Sequence, residues 1–509
     1  MKPSPANPEL LTEDLSANRR SLEQLLGKCD DVIFDVLTYG DNLDYKALSV
    51  YCSSLVAVDR NHYMMQSLED LSGRRSGRAE SVTPASVERY FGQEGATSQG
   101  MRIVTELEAA INLILQGFVV LMFDGWNRAV AYQAPSFDKR QVTEPVSEPV
   151  VQGPREGTVE RLSTNLGMIR QRLQTPRLKI EFLVAGDTTK TTIAMCYLDN
   201  AVIPTVLNEF QSRLQGIEQY DVPETSFIED WVQDSKYSPF PQYRYTERTD
   251  AIAAAIMDGR IAVLVDNSPM VLIAPALLTD FLGTSEDYYV RTVFATMIRL
   301  LRIGAFFIAL MLPSLYIALS TFHPEMIPTV LLLAILDTRE GIPFPAFIEA
   351  LIMEISFELL REAGIRLPRP VGSAVSIVGA LVIGQAAIMA KISSPIMVIV
   401  VALTGIASFA IPHYDIAIAI RILRFPFMVA ATLLGGFGLM ICSLLLLLHL
   451  TCLRTLGQPY LTSIAPLKLS DWRDIVVRAP LTTMLKNPRN RRLLPSESAP
   501  PRGRRGRAR

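Results

Sequence analysis

Charged residues recur every few positions up to about Leu300, whereas apolar stretches dominate from Ile303 to Leu453, broken only by short charged or Pro/Gly-containing connections. A helix needs about 20 mostly apolar residues to cross the hydrocarbon core of a bilayer. On that criterion Ile303–Thr321 reads as a membrane span, with Arg299 and Arg302 suiting a cytoplasmic flank. Ser373–Ala390 and Ile396–Ile411 read as two more, joined by a short turn at Lys391–Pro395. Phe425–Leu450 is the longest and most apolar, and its Gly435, Gly436 and Gly438 permit close packing or a bend. The predicted fold is an α/β soluble N-terminal region, built from a duplicated small α/β lobe, followed by an all-α transmembrane helical bundle.

Within the polar half, residues from about Leu10 to Leu71 read as amphipathic helix, in SLEQLLGKCDDVIFDVL and again around YKALSVYCSSLVAVD, with Ser72–Glu80 as a flexible connection. An internal repeat follows. The run Glu106–Val130 aligns without gaps on the run around Asp250–Leu272: Gly117 falls on Gly259, Phe118–Phe123 on Arg260–Val265, and Asp124-Gly125 on Asp266-Asn267. Each copy reads as a helix closed by a C-cap glycine, a short apolar strand and a tight turn into a second strand. Matched turns in two copies favour duplication.

Between the copies lie a Pro-rich linker (Ala134–Pro149), the sequence GPREG (Gly153–Gly157), a helix RLSTNLGMIRQRL, strands LKIEFLV and TTIAMCYL, and a helix NAVIPTVLNEFQSRL. GDTTKTT (Gly186–Thr192) has a superficial likeness to a phosphate loop. It lacks the second glycine before Lys190, and a strand follows where a helix should receive the phosphate, so it reads as a hairpin turn.

The segment Pro324–Arg369 fits neither pattern. Ile327–Leu336 is too short to span, and Phe344–Leu360 carries Glu349, Glu354 and Glu358. Ionisable groups at membrane depth are costly without partners or water. Glu354 and Glu358 are one turn apart on one face. They either line a water-filled path or pair with Arg361, Arg366, Arg369 or a neighbouring subunit. Topology is also open: Arg361, Arg366 and Arg369 suit a cytoplasmic loop, as do Arg421 and Arg424, and the basic tail suits a cytoplasmic C-terminus. Four spans plus the acidic segment would put that tail outside, unless one segment is re-entrant or Phe425–Leu450 bends back at its glycines.

Composition adds bounds. The net charge of −2 cancels a mildly acidic body against a basic end, where Arg454–Arg509 holds thirteen Lys/Arg and three acids. The five cysteines (Cys29, Cys52, Cys196, Cys442, Cys452) have no ligand-type spacing and read as reduced thiols, and the scattered histidines offer no metal cluster. Met1–Asp14 has no apolar core, so insertion is expected to use the internal segments. No nucleophile–base set is visible, which argues against an enzyme and implies no catalytic residue, cofactor or metal. The RGRRGRAR end reads as a basic tail near anionic lipid, not a nucleic-acid contact.

The run His323–Ile388 (HPEMIPTVLLLAILDTREGIPFPAFIEALIMEISFELLREAGIRLPRPVGSAVSIVGALVIGQAAI) closely resembles the A subunit of the GerA-type spore germinant receptors of endospore-forming bacteria. GPREG, YTER (Tyr245–Arg248), EDYYVR (Glu286–Arg291), LRFPFM (Leu423–Met428), TLGQPYLTSIAPL (Thr455–Leu467) and RAPL (Arg478–Leu481) resemble that family too. The likeness runs from about Ser21 to Lys486, leaving the two tails outside it. The related spore-stage V protein AF branch keeps the PREG and PFPAF–PRPVG blocks less well, so the chain resembles a germinant-receptor A subunit more closely.

The resemblance implies a multi-pass subunit of the spore inner membrane with a cytoplasmic N-terminal domain. It implies partners, namely a transporter-like B subunit that holds the nutrient and a lipoprotein C subunit, and a homo-oligomeric ring that conducts monovalent cations. Glu354, Glu358, Gln385 and Glu349 are then the pore or gating candidates, since acidic rings favour cations. Gly379 and Gly384 would permit tight packing. The competing expectation is a non-conducting scaffold that anchors and couples the B and C subunits. The expected domains are a helical segment 1–80, a first lobe with linker 81–150, a second lobe 151–298, a transmembrane domain 299–453 and a basic C-terminal segment 454–509.

Overall fold

The computed structural model describes residues 10–39, 43–56, 83–84, 91, 101–133, 144–145, 147–367, 379, 382–462, 464–465 and 472–480. Two compact units emerge, one from Met1–Gln233 with Tyr243–Pro275 and the other from Asp234–Gln242 with Ala276–Arg492. The Arg-rich tail and Ser72–Glu80 lie outside the described residues.

The first unit contains two lobes of one design. In the first, α1 (Leu15–Leu26), β1 (Val32–Tyr39), β2 (Tyr45–Cys52), β3 (Met101–Val104), α2 (Leu107–Leu115), β4 (Phe118–Phe123) and β5 (Ala129–Gln133) form a five-stranded antiparallel sheet of order β1-β2-β4-β5-β3 with helices packed on it. The second lobe comprises α3 (Leu162–Arg172), β6 (Leu178–Ala185), β7 (Thr191–Leu198), α4 (Pro204–Leu214), α5 (Thr225–Val232), β8 (Arg244–Thr246), α6 (Thr249–Met257), β9 (Ile261–Val265) and β10 (Val271–Ala274). Its sheet order, β6-β7-β9-β10-β8, matches strand for strand.

The duplication reaches further than the helix–Gly–strand run. Asn18 clamps Thr12 through both its backbone N–H and C=O, at 2.9 and 2.7 Å. Asn165 does the same to Val159, at 2.8 and 2.6 Å. The turn residue Asp266 accepts the first free N–H of α3, from Leu162 at 3.1 Å, and Asp124 faces the N–H of Leu15 at 3.5 Å. Gly117 and Gly259 close the preceding helices with φ of +88° and +87°, where an L side chain is strained. A Cβ on Gly259 would also run into the Ala201 carbonyl.

The helical expectation is corrected where the structure describes it: Val32–Tyr39 is strand β1 and Tyr45–Cys52 is strand β2, while the part of that expectation from Ala57 to Leu71 lies outside the described residues. Six successive residues of β2, Ala47–Cys52, are buried, because both faces of the sheet are covered there. A strand buried on both faces shows no two-residue alternation, so periodicity does not separate it from a helix. The first lobe therefore begins with α1, and a boundary at residue 80 would cut through it. The Gly186–Lys190 segment is the β6–β7 hairpin turn, as expected. Its Thr188 and Thr189 N–H groups are taken by the Asp221 carboxylate at 3.1 and 3.0 Å, which holds that carboxyl below its ordinary pKa.

The two lobes are joined edge to edge. Asp30 N–H donates to Ile180 C=O at 2.9 Å, and Ile180 N–H to Lys28 C=O at 3.0 Å. Beside this bridge, Arg170 grips Asp31 through two hydrogen bonds of 2.8 Å, and neither side chain has any exposed surface.

The second unit is helical: α7 (Thr292–Phe322), α8 (Thr329–Arg339), α9 (Ala346–Arg366), α10 (Pro395–Phe409) and α11 (Tyr414–Cys452), followed by a minimal hairpin of β11 (Arg454–Thr455) with β12 (Gln458–Pro459) and a short helix α12 (Trp472–Ile475). Within the expected span Ser373–Ala390, only Gly379 and 382–390 are described, and 382–389 are helical. Among the described residues two helices, α7 and α11, are long and apolar enough to cross a membrane, by length and composition.

Helix α11 is a hairpin. Gly435 has φ 62° and ψ −139°, outside any helix. A straight helix of 39 residues would be about 58 Å long. Instead its middle lies against the end of α7, where a Cβ on Gly435 would sit 2.8 Å from Phe322. Its two feet return to the chain that leads into α7: His413 lies 3.2 Å from Gly283 C=O and 5.7 Å from the Phe281 ring, while Leu453 binds Tyr460, whose carbonyl accepts from Leu278 N–H at 3.2 Å. The described C-terminal segment therefore ends on the side where α7 begins. The bend at the glycines that the sequence allows is present, at Gly435.

Candidate functional site

Helix α9 carries the acids that the sequence singles out, and each meets an arginine. Glu349, with no exposed surface, lies 3.1 Å from Arg339 of α8 and accepts from Ser394 N–H at 3.0 Å. That amide belongs to the N-cap of α10, where a carboxylate complements the exposed backbone donors and the helix dipole. Glu354, 3 % exposed, pairs with Arg424 of α11, whose Nε also donates to Ala309 C=O of α7 at 2.9 Å. Arg424 thus ties three helices together.

Glu358 sits one turn on. It pairs with Arg421 at 2.6 Å and Arg361 at 3.4 Å, yet its side chain keeps 43 % of its surface exposed. Arg361 lies between the rings of Phe357 and Phe409, at 5.1 and 4.9 Å, and donates to Ser408 Oγ at 3.1 Å. Such stacking on aromatic faces lets a guanidinium be partly desolvated without losing all its partners. Glu362 pairs with Arg366 at 2.5 Å on the exposed end of the helix. Gln385 lies on the 382–389 helix and is exposed.

Of the four candidates, Glu349, Glu354 and Glu358 stand along one helix as the middle of an ion-pair ladder, and Gln385 is on another element. Among the described residues Glu349 and Glu354 pair with Arg339 and Arg424, Arg361 pairs with Glu358, and Arg369 lies outside the described residues. Arg421 and Arg424 lie within the first arm of α11, not in a loop. A signal for them existed: Arg421 and Arg424 are three apart on an apolar helix, and Glu354 and Glu358 are four apart on another. Antiparallel helices bring such pairs into register.

Packing around the ladder depends on small residues. A Cβ on Gly405 would lie 2.5 Å from the Phe357 ring, and one on Gly379 would lie 2.6 Å from Leu360. Gly384 is looser, with Val398 at 3.5 Å. Desolvation makes the ladder expensive to break, because removing one partner leaves an uncompensated charge in low dielectric.

Other sequence motifs also meet in space. In the first unit, GPREG and YTER lie side by side: Gly157 bridges Arg248, Thr249 Oγ1 faces Glu156 C=O, and Arg248 donates to Pro154 C=O at 3.2 Å. A cleft of about 480 Å³ opens in this unit, lined by Ser53, Arg161, Phe182, Thr192, Asp266 and neighbouring residues.

Comparison with known proteins supplies the wider context. The family model described as Bacillus/Clostridium GerA spore germination protein matches residues 20–490. The uncharacterized membrane protein YfkQ of Bacillus subtilis (strain 168) is 39 % identical over 480 residues, covering 94 % of this chain and 91 % of that protein. Spore germination protein KA of the same organism is 39 % identical, covering 94 % of this chain and 87 % of the relative. Spore germination protein GerLA of Bacillus cereus is 42 % identical, covering 74 % and 76 %. Among solved structures, the N-terminal domain of the A subunit of the Bacillus megaterium spore germinant receptor GerK3 matches 54 % of this chain and 99 % of its own, at 24 % identity and a TM-score of 0.42.

Proposed function

Because this chain belongs to the GerA spore germination protein family, we propose that it is the membrane subunit of a nutrient-sensing germination receptor in the spore inner membrane. In this reading it works with a transporter-like B subunit and a lipoprotein C subunit. Copies of the chain assemble around a path for monovalent cations that opens when nutrient binds the partner. The first unit is cytoplasmic and the helical unit spans the bilayer.

Family membership carries the proposal, and the ladder on α9 sharpens it. Glu349 and Glu354 are sealed into ion pairs and act as structural ties. Glu358 keeps nearly half its side-chain surface and Gln385 is exposed. These two can therefore face a water path in an oligomer, where a ring of carboxylates attracts cations. The hairpin of α11 also supports the reading. It returns the C-terminal segment to the side where α7 begins, in keeping with a basic end on the cytoplasmic face.

The test is nutrient-triggered cation release from spores carrying Glu358→Gln or Gln385→Ala. The expected result is altered rate or ion preference at normal receptor abundance. Unchanged release for both would remove α9 and the 382–389 helix from the path. The alternative, a scaffold that only couples the B and C subunits, predicts that no substitution in the bundle changes ion selectivity.

A further inference from the structure

Two motifs stay unexplained by this reading: EDYYVR before α7, and the RAPL region near the chain's end. In the structure they clasp each other. Asp287, 2 % exposed, accepts from Arg299 Nε at 3.0 Å and from Arg302 Nη1 at 2.8 and 2.9 Å. One carboxylate thus faces two guanidinium groups, one turn apart on α7. The second negative charge comes from Asp474 on α12, whose Oδ1 lies 3.4 Å from Arg299 Nη1 and whose carbonyl accepts from the same nitrogen.

The rest of the contact is equally specific. Tyr288 donates its hydroxyl to both oxygens of Asp474, at 3.1 and 3.0 Å. Its ring is flanked by Arg299 at 5.4 Å and Arg478 at 5.8 Å. Arg478 holds the carbonyls of Val290 and Tyr288 at 2.7 and 2.9 Å, and its N–H donates to Thr296 Oγ1 at 3.2 Å. The segment 474–478 therefore grips the first turns of α7 and the chain leading into it.

We propose that this C-terminal segment is a latch on α7, which must let go of Thr296 and Arg299 for the receptor to respond to nutrient. The latch rests on the receptor reading above. Three features of the contact fit a latch better than a fixed brace. It is polar and water-reachable at Tyr288, which is 40 % exposed, so it can exchange for hydration. Its Asp474 gives Arg299 a second carboxylate beside that of Asp287, which Arg299 shares with Arg302, so opening trades this contact for water. Finally, it acts on α7, which packs along both α10 and α11, so an axial or rotational shift of α7 reaches the whole bundle while a closed latch forbids it. Such a two-state element can be biased from either side.

The experiment uses whole spores carrying the complete receptor, with Thr296→Cys and Val477→Cys placed across the Arg478–Thr296 hydrogen bond and Cys452→Ser removing the exposed native thiol. Cross-linking is verified by mass spectrometry, and cation release is followed after nutrient addition. The expected result is that oxidised double-cysteine spores fall silent and recover on reduction, while each single-cysteine chain responds equally with and without oxidant, the Thr296→Cys chain at a lower nutrient concentration because it has lost one contact of the latch. Asp474→Asn, which weakens the latch, should lower the half-effective nutrient concentration about tenfold at unchanged receptor abundance. Cross-linked spores that respond like unsubstituted ones overturn the latch. So does an Asp474→Asn response that only declines in step with receptor abundance. Unsubstituted spores deleted for other receptors and deaf to every nutrient overturn the receptor reading, and the latch with it.

Discussion

The carbonyl of Ala430 lies against the α-carbon of Gly438, close enough that a Cβ on the glycine would collide with it. Eight residues along a straight helix would separate them by about 12 Å. Their contact therefore records a reversal of direction inside what looks, in sequence, like one long apolar span.

The reversal depends on Gly435. Its φ of 62° with ψ of −139° is a conformation essentially reserved for glycine, and Phe322 fills the space a side chain would need. Gly435→Ala should cost about 1–3 kcal/mol from backbone strain alone, with the steric clash in addition. The check is thermal unfolding of the detergent-solubilised protein, where Gly436→Ala should be much milder, its nearest neighbour lying 3.4 Å away.

Glu354 and Glu358 should separate cleanly. Glu354→Gln leaves Arg424 buried with a neutral partner and should destabilise by about 3–5 kcal/mol. Glu358→Gln, at a partly exposed pair, should cost at most about 1 kcal/mol. Receptor abundance and unfolding temperature measure both, and equal losses would contradict the assignment of Glu354 as a tie.

The Arg170–Asp31 pair between the lobes makes the same kind of prediction for the first unit. Asp31→Asn should cost about 3–5 kcal/mol, while Asp31→Asn with Arg170→Met should recover most of it, because a buried pair is worth far less than the penalty of orphaning one member. A double mutant no more stable than Asp31→Asn would contradict this.

Thiol chemistry should follow burial. Cys452 is exposed and should react first with a soluble alkylating reagent, whereas Cys29, Cys52 and Cys196 should react only on unfolding. Burial pushes Cys52 from 9.0 up to about 12, with Asp31 adding to the rise. The sign follows: the unfolded chain loses this proton near pH 9 and the folded chain near 12. Its contribution to stability is therefore complete below pH 9 and declines between pH 9 and 12. Mass spectrometry after pulse labelling reads the first effect, and unfolding midpoints across that range read the second.

Much of this was legible in the sequence because it is written in local terms. Gly117 and Gly259, each before a short apolar strand and an Asp-containing turn, disclosed the repeated lobe. The strand pair β6–β7 and the turn at Gly186 were equally plain. Strand β2 was not, since Ala47–Cys52 is covered on both faces and shows no two-residue alternation, and β1 was read as helix with it. The ladder was half legible: the acids were conspicuous at membrane depth, but Arg421 and Arg424 looked like loop markers, because their partners lie about 65 residues away in sequence. Gly435 announced a bend without its angle, which is set by Phe322 and His323 packing under it. The meeting of Tyr288 with Asp474 and Arg478 left no local trace at all.

The central claim is that this chain contributes the ion path of a germination receptor. The most direct measurement is planar-bilayer recording of the purified receptor reconstituted with its partner subunits, with nutrient added and Glu358 either present or replaced by Gln. A nutrient-dependent cation current whose conductance or selectivity changes with Glu358→Gln is the predicted result. A nutrient current of identical conductance and selectivity with either residue, or no current from an intact nutrient-binding complex, would contradict it.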